Sequence, residues 1–140
     1  MKTAFIIIDV QNILVETGFE TEKIIEKIAY LQDQARKQQI EIIYMQHIET
    51  PEALTSEDWQ LSPLLKRQEN EKVFQKQYNS MFKETGLKEY LDQQGIQQLV
   101  LCGMQTEYCV DTSVKVGFEY GYKLVIPEGA VTTFDGEDIP

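Results

Sequence analysis

Basic residues are scarce in this 140-residue chain: 13 Lys and Arg stand against 23 Asp and Glu, so the net charge is −10. Nucleic acids and anionic membranes attract clusters of Lys and Arg, and this balance therefore disfavours both as partners. The acidity is explained most simply as the charge of a solvated surface. It excludes two classes of partner and indicates little about a substrate.

Long apolar runs are also missing. No segment approaches the ~20 apolar residues of a membrane-spanning helix, and the run at residues 4–8 is too short for the core of a signal peptide. We therefore expect a cytoplasmic protein, in which a disulfide between Cys102 and Cys109 is not expected. These two cysteines, seven positions apart, do not have the spacing of a metal pair. The length suits one domain with a substantial core.

Apolar patterns alternate between strand and helix along the chain. Continuous apolar runs predict strands at residues 3–8, 40–45, 73–74, 99–102 and 123–126. Helical spacing predicts helices at residues 24–38, 87–94 and 107–120. This order predicts a doubly wound, Rossmann-like α/β sandwich with a mainly parallel sheet. Residues 49–72 have no clear period and are too long for a passive connection, so we predict a lid or an oligomer contact there.

Side chains capable of chemistry stand where the predicted strands end. Asp9 ends the first strand, His47 follows the second, Lys76 follows the third and Cys109 begins the helix after the fourth. Ligand sites of parallel sheets lie at the carboxyl ends of the strands, so we expect these residues to converge. Lys76 is a candidate partner for the Asp9 carboxylate, whose burial is costly without one. Any Cys–His pair would need His47, the only histidine; an Asp base with a Lys charge partner is the alternative.

Residues 103–109 (GMQTEYC) carry the most specific signal. They follow an apolar strand with a glycine turn and place Cys109 in the first turn of a helix. A helix N-terminus carries partial positive charge and unpaired N–H groups, so it stabilises a thiolate and binds an oxyanion. We therefore expect this terminus and Lys76 to lower the pKa of the Cys109 thiol. Cys102, inside the apolar strand, is predicted to be a small core residue.

Three segments in register resemble the isochorismatase-like cysteine hydrolases. They are residues 5–12 (FIIIDVQN), 76–82 (KQYNSMF) and 99–112 (LVLCGMQTEYCVDT), the last being the most specific. Residues 121–122 and 131–133 also fit the later pattern of that family, so the resemblance covers nearly the whole chain.

The resemblance implies a catalytic triad of Asp9, Lys76 and Cys109. It also implies a cis peptide bond between Met104 and Gln105 and an oxyanion hole formed by the N–H groups of Gln105 and Cys109. Asp9 would accept the thiol proton, the thiolate would attack a carbonyl, and water would cleave the resulting thioester. The implied reaction is hydrolysis of an amide or related C–N bond in a small molecule.

Departures from the family pattern narrow this expectation. Its nicotinamidases bind a metal through an Asp and several His, whereas this chain has one His, so we expect neither metal nor cofactor. Its isochorismatases cleave a vinyl ether and often lack the cysteine; that reaction is an alternative here. The family continues past the position of residues 134–136 with another helix. The chain ends at Pro140, so we expect that helix to be missing, which favours homodimers or larger assemblies through exposed apolar surface.

Pocket walls are predicted from the same strand ends and the candidate lid. The candidates for substrate contact are Gln11, Leu14, His47, Trp59, Gln105 and Tyr108. Trp59, the only tryptophan, is somewhat better explained by packing than by substrate contact. Two further functions stay open: a catalytically silent binding or oligomeric member of the fold, and a redox-sensing thiol.

Overall fold

The structure is a computed structural model, and it describes residues 1–134. Its centre is a six-stranded sheet in which every pair of strands is parallel. The strands are β1 (Thr3–Ile8), β2 (Glu41–His47), β3 (Lys72–Lys76), β4 (Gln98–Met104), β5 (Lys123–Val125) and β6 (Val131–Thr132). Their order is β3-β2-β1-β4-β5, and β6 pairs with the carboxyl end of β4. The predicted α/β fold with a parallel sheet is confirmed.

Helices cover the sheet on both faces. They are α1 (Asn12–Thr17), α2 (Thr21–Lys37), α3 (Leu87–Gln93) and α4 (Asp111–Glu119). Alternate residues of β1 point to opposite faces, so Phe5 and Ile7 pack with α2, whereas Ile6 and Ile8 pack with residues of α3. No helix of residues 1–134 combines the length and apolarity needed to cross a membrane. The predicted location and homo-oligomeric state stay predictions.

Short elements account for the differences from the predicted pattern. Helix α1 has six residues and no buried side chain, so it leaves no apolar period to detect. Strand β6 has only two residues. Strand β3 is an edge strand, and Lys and Gln flank its two apolar residues. Its apolar run is therefore shorter than the strand itself. The predicted absence of a last helix concerns the chain after residue 134 and lies outside the described residues.

Residues 49–72 fold against the carboxyl edge of the sheet. They form three short 3-10 turns at Pro51–Leu54, Glu57–Trp59 and Pro63–Leu65. Backbone hydrogen bonds join this segment to the end of β1 and the start of α1: Ser62 N–H donates to Val10 O at 2.9 Å, and Asn12 N–H donates to Gln60 O at 3.0 Å. Whether it moves as a lid or contacts another copy stays a prediction.

A buried polar network anchors the end of this segment. Glu71 accepts hydrogen bonds from the Tyr44 hydroxyl, the Gln68 N–H and both Nε and Nη2 of Arg36, each at 2.9 Å. Burial alone would raise the pKa of Glu71, but these donors favour the carboxylate and hold its pKa below the ordinary value of 4.5. The ionised carboxylate therefore contributes to stability.

We expect Glu71→Gln to lower the free energy of unfolding by about 2 kcal/mol at neutral pH, because charged donors lose their anionic partner. A carboxyl group with a depressed pKa stabilises the fold above its ordinary pKa and loses that contribution as pH falls through the folded value. The difference between the variant and the wild type should therefore narrow below about pH 4.5. Urea unfolding at several pH values measures it. Glu69→Gln, at an exposed site, is the matched control, and an equal loss there would contradict the prediction.

Gly103 allows β4 to approach β1 at the functional edge of the sheet. Its φ is +119°, and a Cβ added there would lie 2.0 Å from the carbonyl oxygen of Ile8. Both the backbone conformation and the space therefore require glycine. Gly95 also has a positive φ, of +69°, but a Cβ there would meet no atom within 4 Å.

Gly103→Ala should lower the free energy of unfolding by at least about 3 kcal/mol, because a backbone clash adds to the strain of a positive φ. Gly95→Ala carries the conformational penalty alone and should cost about 1 kcal/mol. Chemical denaturation of both variants measures the difference. Equal losses would show that contact with Ile8 does not require the glycine.

Candidate active site

Four strand ends bring the predicted residues together. Asp9 follows β1 with a left-handed φ of 53°, and its N–H donates to Met45 O at the end of β2 at 3.0 Å. Lys76 ends β3, His47 ends β2, and Cys109 follows β4. Asp9 is 2% exposed, Lys76 1% and Cys109 8%. The convergence predicted from parallel strand ends is thus observed, at the base of a cleft.

The Lys76 ammonium is the centre of this group. Its Nζ lies 3.1 Å from Asp9 Oδ2, 3.2 Å from Cys109 Sγ and 3.2 Å from His47 Nδ1. It also donates to the carbonyl oxygen of Tyr78 at 2.7 Å. An ammonium has three N–H donors, so four acceptors share three protons. Any one of the four acceptors, including the Cys109 sulfur, can therefore lose its hydrogen bond to Lys76 while the ammonium keeps three others.

His47 joins this centre to the rim of the cleft. Its Nε2 lies 3.2 Å from Glu49 Oε1. Because Lys76 can only donate, Nδ1 is the acceptor and Nε2 carries the proton that is donated to Glu49. One imidazole ring therefore connects Glu49 with the Lys76 ammonium.

Only one of the two oxygens of the Asp9 carboxylate has a partner among residues 1–134. Oδ2 faces Lys76, whereas Oδ1 is buried and has no hydrogen-bond partner among residues 1–134. Burial raises the pKa of Asp9 above its ordinary value, and the Lys76 charge opposes that rise. An unpaired, more basic carboxylate oxygen is suited to accept a proton.

Cys109 lies where the sequence predicts it, near the start of a helix. That start is a π-helical turn, Thr106–Val110, which leads directly into α4. Burial, followed by the Asp9 charge, raises the pKa of the Cys109 thiol to about 11, although Lys76 acts in the opposite direction. The prediction of a lowered thiol pKa is therefore wrong, because burial and the nearby carboxylate outweigh Lys76 and the helix terminus.

The peptide bond between Met104 and Gln105, in the segment that leads to Cys109, is cis. The carbonyl oxygen of Gln105 accepts from the N–H groups of Tyr108 and Val110, both at 3.1 Å. Gln105 also lines the cleft.

The cleft above these residues has a volume of about 430 Å³. Five predicted wall residues line it: Leu14, His47, Trp59, Gln105 and Tyr108. Asp9 and Cys109 lie at its base. Three further lining residues were not among the predicted walls: Glu49, Gln77 and Asn79. They follow β2 and β3 within a few residues. The expectation that ligand sites lie at the carboxyl ends of parallel strands, which pointed to His47 and Lys76, therefore also applies to them.

Gln11, predicted to contact substrate, does not line the cleft. It is fully buried, and its Nε2 donates to the carbonyl oxygens of His47 at 2.9 Å and Trp59 at 2.7 Å. Its Oε1 accepts from the N–H of His47 at 2.8 Å. All these partners are backbone groups, so Gln11 positions the end of β2 and the segment that carries Trp59.

One group in residues 1–134 has the composition of a metal site. Potential ligand atoms of Asp9, His47 and Cys109 all lie within 4.8 Å of one another. The Lys76 Nζ, however, lies 3.1 to 3.2 Å from an atom of each. A metal ion and a buried ammonium would compete for the same three groups, so the donor set fits the ammonium.

Cys102 is remote from this chemistry. It is fully buried among the residues that pack on α2, whereas Cys109 belongs to the core on the opposite face of the sheet. Burial raises the pKa of the Cys102 thiol well above its ordinary value. Cys102 is thus poorly placed to resolve an oxidised Cys109, which weighs against the redox-sensor alternative.

Comparison with known proteins agrees with this geometry. Residues 3–139 match the Isochorismatase domain. The chain belongs to the isochorismatase-like hydrolase family. It is 28% identical over 138 residues to a streptothricin hydrolase of Streptomyces noursei, covering 94% of this chain and 50% of that protein. It therefore spans half the length of this relative.

Solved structures of the isochorismatase-like family share the fold. The crystal structure of an isochorismatase family protein is 27% identical, with a TM-score of 0.93 over 99% of this chain and 85% of that one. A cysteine hydrolase from Pseudomonas syringae pv. phaseolicola has a TM-score of 0.90 at 24% identity, over 98% of this chain and 75% of that one. At this lower identity the likeness establishes the fold alone.

The raised thiol pKa predicts how Asp9 affects alkylation of Cys109. Asp9→Asn removes a neighbouring negative charge, which lowers the thiol pKa, so the midpoint of the pH–rate profile for reaction with iodoacetamide should shift to lower pH. Mass spectrometry of the Cys109 peptide over a pH series measures the rate. Asp111→Asn is the control, because this exposed-face carboxylate is paired with Lys115. An unchanged or higher midpoint in Asp9→Asn would contradict the assignment of Asp9 as a cause of the raised pKa.

Proposed function

We propose that this chain is a cysteine hydrolase that cleaves an amide or related C–N bond of a small molecule. The observation that carries the proposal is the Lys76 ammonium, 3.1 Å from Asp9 Oδ2 and 3.2 Å from Cys109 Sγ, beneath an open cleft. This arrangement supplies a nucleophile, a base and a fixed positive charge. Family membership and the name of the streptothricin hydrolase relative support hydrolysis.

The reaction begins with a neutral thiol. Because the pKa of Cys109 is raised to about 11, the proton must leave as sulfur attacks the substrate carbonyl carbon. Asp9 is the acceptor, through the carboxylate oxygen that has no other partner. Lys76 remains protonated and holds Asp9 in place, so it offsets the negative charge that moves from carboxylate to sulfur and then to the substrate oxygen.

The developing oxyanion is placed against backbone donors. The N–H groups of Gln105 and Cys109 are the proposed donors, and one such donor is typically worth roughly 3 kcal/mol in the transition state. When the tetrahedral intermediate collapses, the C–N bond breaks and Asp9 returns the proton to the leaving nitrogen. A thioester between the acyl group and Cys109 remains.

Water completes the cycle. It enters from the open cleft, Asp9 accepts one of its protons, and the resulting hydroxide adds to the thioester carbonyl. Collapse of the second intermediate releases the carboxylic acid, and the sulfur regains a proton from Asp9. Each step uses residues of this chain alone and needs no metal or cofactor.

Cys109→Ala should abolish amide hydrolysis, because no thioester can form. Asp9→Asn should reduce kcat/KM by at least about a thousandfold, since the thiol, the leaving group and the water all lose their proton partner. Ammonia release from a panel of primary amides, hexanamide and benzamide included, measures activity. Mass spectrometry after acid quenching should detect an acyl group on Cys109.

Cys102→Ala is the matched control and should retain the activity, because Cys102 lies in the core on the other face of the sheet. Full amide hydrolysis by Cys109→Ala would overturn the thioester route and show that the reaction does not need the cysteine. A wild-type protein inactive on every amide, with an unreactive Cys109, would favour the silent binding alternative.

A further inference from the structure

The charged groups of the cleft wall are all acidic. Among the residues that line it, Asp9 and Glu49 carry carboxylates and none is Lys or Arg. Asp9 is balanced at the base by the buried ammonium of Lys76, 3.1 Å away. Glu49 is therefore the charge that an entering substrate meets without a compensating cation.

Glu49 is built into the site and remains accessible. His47 Nε2 lies 3.2 Å from Glu49 Oε1, while Nδ1 of the same ring contacts Lys76, whose Nζ contacts the Cys109 sulfur. The Glu49 side chain is 69% exposed and that of His47 is 13% exposed. One imidazole ring thus separates the rim carboxylate from the catalytic ammonium, and the carboxylate faces solvent at the mouth.

Two aromatic rings also line the cleft. Trp59 packs against His47 with ring centroids 6.3 Å apart, and Tyr108 is 52% exposed. Both line the cleft with Glu49. A cleft lined by a carboxylate and aromatic rings suits an ammonium or guanidinium group, through charge pairing and cation–π attraction.

Nearby basic groups do not cancel this preference. Lys83 belongs to an adjoining groove, where its Nζ lies 4.0 Å from the centroid of the Tyr78 ring, and it does not line the cleft. The other polar lining groups are the neutral amides of Gln77, Asn79 and Gln105. An anionic substrate would meet repulsion from Glu49 without a cation at the wall to offset it.

We propose that the substrate carries a positively charged group at the end remote from the scissile amide, and that Glu49 selects it. This inference rests on the proposed hydrolase function for its substrate, but the charge preference is a property of the cleft. An amide with a carboxylate at that position should be rejected. Glu49 is a specificity residue: it binds the remote cation and takes no part in proton transfer.

Charged thiol reagents test the preference without any knowledge of the substrate. Cys109 is modified with cationic trimethylammonium-ethyl or anionic sulfonatoethyl methanethiosulfonate; sulfur forms a mixed disulfide and methanesulfinate leaves. The rate of each reagent with Cys109 is divided by the rate of the same reagent with a small free thiol. The Cys109→Ala protein measures modification at other residues, which is subtracted. The normalised cationic reagent should react at least about tenfold faster than the anionic one.

Variants then assign the preference to one side chain. Glu49→Gln keeps an oxygen acceptor for His47 and removes the charge, so the cation-to-anion ratio should fall at least threefold, and Glu49→Lys should bring it below one. Glu52→Gln, at an exposed position that does not line the cleft, removes the same charge and should leave the ratio unchanged. A wild-type ratio near one, or equal effects of the Glu49 and Glu52 variants, would overturn the proposal.

Matched amides extend the test to catalysis. The amide of ε-aminocaproic acid, hexanamide and the monoamide of adipic acid share four methylene groups next to the amide and end in a cationic, a neutral and an anionic group, and kcat/KM should fall in that order. In Glu49→Gln the loss for the cationic amide should lie in KM more than in kcat. Inactivity on all three, with the reagent ratio intact, would overturn the hydrolase proposal and leave the charge preference standing; activity on all three without a charge preference would do the reverse.

Discussion

The arrangement of this molecule depends on one buried ammonium. Lys76 is 1% exposed, and its charge is compensated by Asp9, 2% exposed, at 3.1 Å. Removing one partner of such a pair typically costs 3–5 kcal/mol, because the other charge stays buried and unpaired. The carboxyl ends of β1, β2, β3 and β4 must all stay in register for Lys76 to reach its partners. A change in the register of these strand ends would therefore also change the geometry of the site.

The same ammonium explains why the cysteine rests as a thiol. A cation 3.2 Å from sulfur would favour the thiolate, but the cation is already neutralised by Asp9, and burial disfavours any additional charge. The net charge of the Asp9–Lys76 pair is close to zero, so a thiolate would add an uncompensated anion. Transfer of the proton to Asp9 avoids this, because the total charge of the three groups does not change. Burial thus couples nucleophilic attack to proton transfer.

Much of this could be predicted from the sequence because the evidence for it is local or topological. Apolar runs at residues 3–8 and 99–102 predict the parallel strands, and the rule that parallel strands end on one edge predicts that Asp9, Lys76 and Cys109 meet. Helix α1 and strand β6 were missed because neither is long enough to show a period. The order of the strands in the sheet needs contacts between distant residues, which a periodic pattern does not contain.

The errors at the site have a common physical origin. The thiol pKa was predicted from two neighbours that lower it, whereas the burial that raises it is a property of the whole fold. Gln11 was predicted to face substrate because it follows a strand end, yet its side-chain amide is hydrogen-bonded to backbone groups of His47 and Trp59. Side-chain direction at a strand end depends on which segment packs over it, and residues 49–72 show no period from which that packing could be read.

The cleft divides two tasks between its base and its rim. At the base, Asp9 and Lys76 cancel in charge, so the chemistry there is nearly independent of the charge of the remote part of a substrate. At the rim, Glu49 contacts Nε2 of His47, whose Nδ1 contacts Lys76. Selection at the rim can therefore change through Glu49 while the base is preserved. His47 links the two, because the same ring contacts Glu49 at the rim and Lys76 at the base.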